Sequence, residues 1–379
     1  MSITILNDNN GNYDVFYYQN GSIERISLKS NGDELTEGLT GPIDISGDSS
    51  RIIYAHTSAE IVANDNNAEY DLFSYKTNTQ STTLMTQNAN GSAANNYSLY
   101  PFLSTDGNRA VFISFATDLT ADPATGSYYN LFYYNFNSAQ MRNETTAVFS
   151  PITSISSVYL PRISSNQRFA SYITDSPNFV DEPLDSKTFD LFLLDRTDNT
   201  HSKIASNTHF IFNDISSSGD YVVFASNYSQ PDANVFLGAP NVFLYNRVNN
   251  NYVQLDEGQQ YKVNNNGAVV FETTKGIDPN DTNQISDIYA YNPQTQAISL
   301  ISKDLNGNAS GASAPDIGGS NNNIWITFSS VSANLVAGDL NGLRDIFMVK
   351  FPNGTISRVS QTLAGVEADG YSSIPAISE

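Results

Sequence analysis

The chain has 379 residues, with 18 Lys plus Arg against 39 Asp plus Glu for a formal charge of −21, 12% aromatic residues and no cysteine. The absent thiols exclude disulfides, zinc–thiolate and iron–sulfur sites and a Cys nucleophile, and the charge argues against a nucleic-acid partner. The aromatic content is too high for a disordered acidic chain, and no apolar run approaches the roughly 20 residues of a membrane span.

Read from the N-terminus, the first apolar stretch is Ile3-Thr-Ile-Leu6, followed by Asp14-Val-Phe-Tyr-Tyr18 and Ile23-Glu-Arg-Ile-Ser27. The Asp14 segment opens a series. It returns as Asp71-Leu-Phe-Ser-Tyr75, Asn130-Leu-Phe-Tyr-Tyr134, Asp190-Leu-Phe-Leu-Leu194, Asn241-Val-Phe-Leu-Tyr245, Asp287-Ile-Tyr-Ala-Tyr291 and Asp345-Ile-Phe-Met-Val349. Seven copies in 379 residues give a repeat of about 54. A second pattern precedes each later copy: Ile45-Ser46, Leu103-Ser104, Ile163-Ser164, Ile215-Ser216, Val263-Asn264 and Ile317-Gly318, with a last Ile377-Ser378. Pro101, Pro161, Pro315 and Pro375 stand two residues before the aliphatic, and Pro42 three. A polar turn follows, as in Ser104-Thr-Asp-Gly-Asn108, and then an apolar stretch such as Arg109-Ala-Val-Phe-Ile113 or Tyr221-Val-Val-Phe-Ala225.

Each repeat reads as four short strands. Strand A is the Ile-Ser stretch, B the Val-Phe stretch, C the Asp-Leu-Phe stretch, and D segments such as Thr355-Ile-Ser-Arg-Val-Ser360. β-Branched and aromatic residues between Gly, Asn, Asp and Ser turns carry these assignments, and no amphipathic helical period competes. The expectation is an all-β fold, a single seven-bladed β-propeller of four-stranded blades over residues 1–379. Six copies are complete. The seventh is predicted to close the ring by joining N-terminal strands B, C and D to the C-terminal strand A, because a ring must bury its first and last sheets against each other.

These motifs resemble the TolB-like propeller repeats, also known as WD40-like PD40 repeats. The resemblance is clearest in Ser329-Ser-Val-Ser-Ala-Asn-Leu-Val336, Asp339-Leu-Asn341, Asp345-Ile-Phe347 and Arg358-Val-Ser360, and it covers nearly the whole chain. The repeat at Ile215 lacks the Pro, and the one at Val263 carries Asn264-Asn-Asn-Gly267 in the turn. The resemblance implies a propeller and a periplasmic, secreted or cell-surface location. It does not imply one function, since such propellers serve many.

Four B–C loops end in Asp-x-Asn-x-x-x-Asp: Asp8, Asn10 and Asp14; Asp65, Asn67 and Asp71, with Glu69 between; Asp281, Asn283 and Asp287; Asp339, Asn341 and Asp345. Alternate oxygen-bearing side chains suit a hard cation such as Ca2+. The same residues also build Asx-turns, and both readings stay open. The loops from Asp122, Asp181 and Asp232 are longer or less regular and are poor metal candidates. The D–A loops repeat Gly91 to Pro101 and Gly365 to Pro375, carrying Tyr97 and Tyr371 as candidate stacking residues at the channel mouth. The residue before the key aliphatic of strand A is Asp44, Phe102, Arg162, Asp214, Lys262, Asp316 or Ala376. Five charges at one register predict a wet, charged channel, with Arg162 and Lys262 as anion-facing residues.

No His-x-x-x-His spacing, Gly-x-Ser-x-Gly elbow or sialidase-type box is present among the three His and one Trp. The leading expectation is a non-catalytic recognition or scaffold module, a monomer, that presents its loop face to a protein or glycan, with Ca2+ stiffening that face. The alternative is a secreted carbohydrate-active enzyme with acidic residues at the channel mouth, and a third reading is a structural spacer. The segment Met1-Ser-Ile-Thr-Ile-Leu6 is not a signal peptide.

Overall fold

The computed structural model describes residues 14–19, 22–36, 40–121, 129–144, 158–174, 189–198, 200–230, 235–320, 323–361, 367 and 370–377. Every element with defined bounds among them is a β-strand. The chain divides into two compact units, Met1–Ile163 with Thr174–Lys187, and Ser164–Ile173 with Thr188–Glu379.

The first unit begins with the hairpin β1 (Phe16–Gln19) and β2 (Ser22–Arg25). Two antiparallel sheets follow: β3 (Thr40–Ile45), β4 (Arg51–His56), β5 (Asp71–Lys76) and β6 (Ser81–Leu84), then β7 (Ser98–Leu103), β8 (Arg109–Ser114), β9 (Asn130–Asn135) and β10 (Gln140–Asn143). It ends with β11 (Val158–Ile163), which packs on β7 and β8. The second unit carries β12 (Phe169–Thr174), β13 (Phe189–Asp195), β14 (Thr200–Ile215), β15 (Tyr221–Tyr228), β16 (Phe236–Asn246) and β17 (Asn251–Glu257). Two four-stranded sheets complete it: β18 (Gln259–Val263), β19 (Val269–Thr273), β20 (Asp287–Asn292) and β21 (Ala297–Leu300), then β22 (Ser313–Ser320), β23 (Asn323–Ser330), β24 (Asp345–Phe351) and β25 (Ser357–Arg358).

In chain order the described strands form six A–B–C–D sets, together with the hairpin β1–β2, which corresponds to strands C and D of the first copy. The four-stranded propeller blade is therefore as the sequence predicts, but the described residues hold six complete blades rather than seven. The expected strand B at residues 3–6 lies outside them, as does Ser378. Residues 371–377 form no strand ladder. One connection also differs from expectation. β14 runs 16 residues and passes directly from pairing with β13 to pairing with β15. A continuous strand replaces the D–A crossover loop here, which accounts for the missing Pro before Ile215.

The repeated motifs have local physical causes. Three residues before its key aliphatic, strand A places Tyr100, Leu160, Gln260, Ala314 and Ile374 at φ values of 51, 49, 47, 53 and 55°. The A–B register shifts at this point, between Leu99 and Phe102, Gln259 and Lys262, and Ser313 and Asp316. Proline has no N–H to donate, so it fits where such a bulge interrupts the ladder. The A–B turn depends on a hydroxyl. Ser46, Ser104 and Ser164 Oγ donate to Asp48, Asp106 and Asn166 at 2.6–2.7 Å. The same oxygens accept the first N–H of strand B, from Arg51, Arg109 and Phe169, at 3.0–3.1 Å. Asn264 Oδ1 does this job for Ala268 N–H at 3.0 Å, so the departing turn keeps its bond. The third residue after the Ser or Asn is left-handed, and Gly107, Gly219 and Gly267 supply that conformation at low cost.

Packing centres on one contact per blade. An aromatic of strand B stacks on the aromatic of strand C: Tyr54 on Phe73, Phe112 on Phe132, Tyr172 on Phe192, Phe224 on Phe243, Phe271 on Tyr289, and Phe328 on Phe347, with centroids 5.5–6.2 Å apart. All twelve rings fall below 2% exposure.

Tyr172 Oη also lies 2.5 Å from His201 Nδ1, and burial pushes the His201 imidazole down to about 4 from the ordinary 6.5. A depressed histidine contributes stability that is complete above pH 6.5 and lost as pH falls through about 4. Urea unfolding at pH 7, 5.5 and 4 should show the wild type losing up to about 3 kcal/mol more than His201→Asn over that range. Parallel pH profiles would remove this group from the acid sensitivity.

Candidate functional site

Three carboxylates of the charged register staple one repeat to the next. Asp44 Oδ2 accepts Leu103 N–H at 2.6 Å. Asp214 Oδ2 accepts Val263 N–H at 3.0 Å, and Asp316 Oδ2 accepts Ile377 N–H at 2.7 Å. Lys262 Nζ lies 3.9 Å from Asp214 Oδ1. Burial raises the Asp316 carboxyl, and the Lys262 charge opposes the rise. Arg162 Nη1 donates to its neighbour Pro161 O at 3.0 Å, and its guanidinium lies 5.0 Å from the centre of the Phe102 ring. The two predicted anion-facing residues thus lie on β11 and β18, beside partners of their own.

Asp8 and Asn10 of the first acidic loop lie outside the described residues, as do Asp122, Asp181 and Asp232. Asp14 is held by Ser27 Oγ at 2.7 Å and by Arg25 Nη1 at 3.4 Å, and Arg25 also pairs with Glu34 at 2.6 Å. In the last loop Arg358 Nη1 lies 3.5 Å from Asp339, 3.9 Å from Asp345 and 2.7 Å from Glu367. Asn341 Nδ2 donates to Asp345 at 3.1 Å. In the third loop Tyr289 Oη donates to Asp281 at 2.6 Å and Asn283 Nδ2 to Asp287 at 2.7 Å. In the second loop Asp65 and Asp71 are buried and Glu69 is exposed. Asn67 Nδ2 donates to Ala94 O at 2.9 Å. Burial pushes Asp65 up to about 6 and Asp71 up to about 7, the charge of Asp65 adding to the rise in Asp71. Among the described residues no three His, Asp or Glu side chains converge as a metal cluster.

The D–A loops do recur as a fixed path. Ser98 N–H donates to Tyr70 O, Ala312 N–H to Ser286 O and Ser372 N–H to Arg344 O, all at 2.7–2.8 Å. Tyr371 is 77% exposed. Tyr97 belongs to a cluster that the sequence analysis missed. Its ring lies 5.0 Å from Phe115 and 6.1 Å from Tyr129; Phe115 meets Tyr129 edge-on at 4.1 Å, and Tyr129 meets Tyr159 edge-on at 5.7 Å. All four rings are half-buried, and Tyr100 beside them is exposed. The residues come from a D–A loop, two ends of a B–C loop and a strand A. Only the Tyr128-Tyr129 pair at a loop end was a signal in the sequence.

One cavity of about 360 Å³ lies in the second unit, lined by Phe212, Pro240, Glu257, Tyr261, Glu272 and Thr273 among others. Glu272 accepts from Gln259 Nε2 at 3.2 Å and from Ala314 N–H at 3.1 Å. Gly258 admits no side chain here, because a Cβ would stand 2.7 Å from Phe271.

No family model matches the chain, and no curated protein matches it in sequence. Solved structures match in fold. The β-propeller domain of the Trilobed protease from Pyrococcus furiosus aligns with a TM-score of 0.50 at 9% identity, over 85% of this chain and 84% of that one. The acylaminoacyl peptidase of Pyrococcus horikoshii gives 0.50 at 11% identity, over 85% and 46%. TolB from Acinetobacter baumannii gives 0.44 at 11%, over 82% and 66%. The chain has a β-propeller fold. It spans about half the length of the acylaminoacyl peptidases it matches. At these identities the likeness extends to the fold and not to an activity.

Asp214→Ala leaves Val263 N–H without its acceptor and Lys262 without its nearest carboxylate. A stability loss of about 1–3 kcal/mol is expected by chemical denaturation. A loss below about 0.5 kcal/mol would show that water serves these groups equally well.

Proposed function

We propose that this chain is a non-catalytic recognition propeller that binds a glycan through the aromatic cluster of Tyr97, Phe115, Tyr129 and Tyr159. The cluster is the observation that carries the reading. Half-buried rings offer apolar faces for the C–H side of a sugar, and phenol hydroxyls at their rims pair with its hydroxyl groups. Packing the rings edge to face fixes them before a ligand arrives, so little ordering is left to oppose binding. The enzyme alternative has support in Glu257 and Glu272 on the wall of the 360 Å³ cavity. It is the weaker reading, because Glu272 is already held by two structural donors.

A glycan panel read by both binding and reducing-end release separates these readings. Binding without release, weakened about tenfold in Tyr97→Ala or Tyr129→Ala, is the expected result, matching a ring contact of roughly 1.4 kcal/mol. Release of reducing ends would make the chain an enzyme. Absence of both signals would move the cluster to a protein ligand.

The reading also includes a single seven-bladed domain. Support comes from Ile377, whose N–H meets Asp316 as Leu103 meets Asp44, and from Ile374, which has the strand A kink. Residues 375–377 would then supply strand A of the seventh blade. Deleting residues 371–379 should lower the melting temperature by several degrees, while an unchanged midpoint would place this segment outside the closed fold. A monomer and an extracytoplasmic setting complete the proposal, the latter supported by the acidic composition.

A further inference from the structure

Each strand C opens with a buried Asp or Asn, and the strand D residue facing the aromatic two positions later lies on its diagonal. Opener and diagonal partner match in charge. Asp14 meets Arg25 at 3.4 Å, Asp190 meets Lys203 at 3.9 Å, and Asp345 meets Arg358 at 3.9 Å. The two Asn openers have amides on the diagonal: Gln254 Nε2 donates to Asn241 Oδ1 at 3.1 Å, and Asn143 stands opposite Phe132 in the copy of Asn130. Such matching follows from the high cost of a buried charge without a counter-charge or hydrogen bonds.

Two Asp openers have leucine on the diagonal, Asp71 with Leu84 and Asp287 with Leu300. Asp287 is compensated by donors. Ser302 Oγ, Gly311 N–H and Ser310 N–H reach Oδ1 at 2.7, 2.9 and 3.2 Å, and Asn283 Nδ2 reaches Oδ2 at 2.7 Å. Its companion Asp281 receives the Tyr289 hydroxyl.

Asp71 has no such counter-charge and fewer donors: besides Thr86 it has a weak contact with the Asn67 side chain, whose Nδ2 is directed to Ala94 O. Thr86 Oγ1 donates to Oδ1 at 2.6 Å, as the sister blades would predict. Phe73 stands where Tyr289 supplies its hydroxyl. The Ala94 and Asn95 N–H groups donate to Thr86 O and Asp118 Oδ1. Asp71 is 0% and Asp65 5% exposed, and Asp65 Oδ2 and Asp71 Oδ2 receive no hydrogen bond. No Lys or Arg among the described residues pairs with either. His56 faces Asp71 across the ladder, but its Nδ1 accepts Ser58 N–H at 2.9 Å.

We propose that the loop from Asp65 to Asp71 binds a divalent cation, Ca2+, through Asp65 Oδ2 and Asp71 Oδ2, in the role that Arg25 and Arg358 fill in the sister blades. Two buried carboxylate oxygens in an oxygen-rich loop match a hard cation, and loop carbonyls and water complete six to eight ligands around such an ion. This narrows the calcium expectation from four loops to one. It rests on charge compensation within the blade and stands apart from the glycan reading, so either can fail alone.

The test is the melting temperature of the full chain in EDTA, in about 5 mM Mg2+ and in about 5 mM Ca2+, with Ca2+ titrated calorimetrically. Ca2+ at about 100 times its Kd should raise the midpoint by roughly 3 °C. Asp71→Asn should fold, as Asn130 and Asn241 show for that position, and should lose the rise. Asp281→Asn should keep it. Leu84→Arg should raise the midpoint in EDTA and abolish the response to Ca2+, since the guanidinium would take the cation's place. No heat and no shift in the wild type would overturn the inference and leave a shared proton between the two carboxyls. A rise that survives in Asp71→Asn would equally overturn it, by locating the ion elsewhere. Glycan binding is read in the same samples, and its loss or retention does not bear on the cation result.

Discussion

The stacked aromatic pair between strands B and C is the contact on which the other features depend. A four-stranded sheet of such short strands has two faces to bury and little area with which to do it. One large ring from each central strand, placed face to face, fills the middle of the blade and fixes the B–C register. Once that register is fixed, the residue two positions before the strand C ring is buried at the loop end of the sheet. That is the position of the Asp or Asn opener. The same contact that gives each of the six complete blades its core therefore brings a polar group into a dry environment in each of them.

The variation among repeats follows from that constraint. The fold tolerates a carboxylate or an amide at the opener provided that strand D or the loops supply a matching group. The chain has used a guanidinium, an ammonium, an amide and a cluster of neutral donors for this purpose. Because the compensation is local, one blade can change its solution without altering the next, as expected where each repeat contacts mainly its neighbours. The continuous strand β14 shows the same independence at the level of connections. Strands D and A join without a loop there, and the blades on both sides keep their stacked pairs.

Much of this was legible in the sequence because it rests on residue types at fixed spacing. The strand C pattern, the apolar strand B and the Ser turn each need particular side chains, so they recur in letters. The strand A kink was legible only through its Pro. The left-handed residue is Tyr100, Leu160, Ala314 or Ile374 before a Pro, or Gln260 before Tyr261, and nothing in those side chains marks the conformation. The five charges of strand A were visible but their purpose was not. Asp44, Asp214 and Asp316 act on backbone N–H groups 49–61 residues away, a pairing no local pattern encodes. The aromatic cluster was missed for the same reason, since Phe115, Tyr129 and Tyr159 come together only through the ladder. The opener rule needed the register as well: Leu84 is an ordinary strand residue until it is seen to occupy the place of Arg25 and Arg358.

The acidic loop and the aromatic cluster are also joined mechanically. Asn64 Nδ2 donates to Gly91 O at 2.7 Å, Ala93 N–H to Asn64 O at 3.1 Å, and Asn67 Nδ2 to Ala94 O at 2.9 Å. The loop containing Asp65 thus holds the segment that leads into Tyr97, and Ser98 N–H anchors its far end on Tyr70 O, next to Asp71. A cation fixed between Asp65 and Asp71 would restrain both attachments of that segment at once. Its effect on a ligand would come through the ordering of Tyr97 rather than through contact, because a ring already held in place loses less freedom on binding. A carboxylate pair poorly compensated within its own blade is in this way set beside the loop that carries Tyr97.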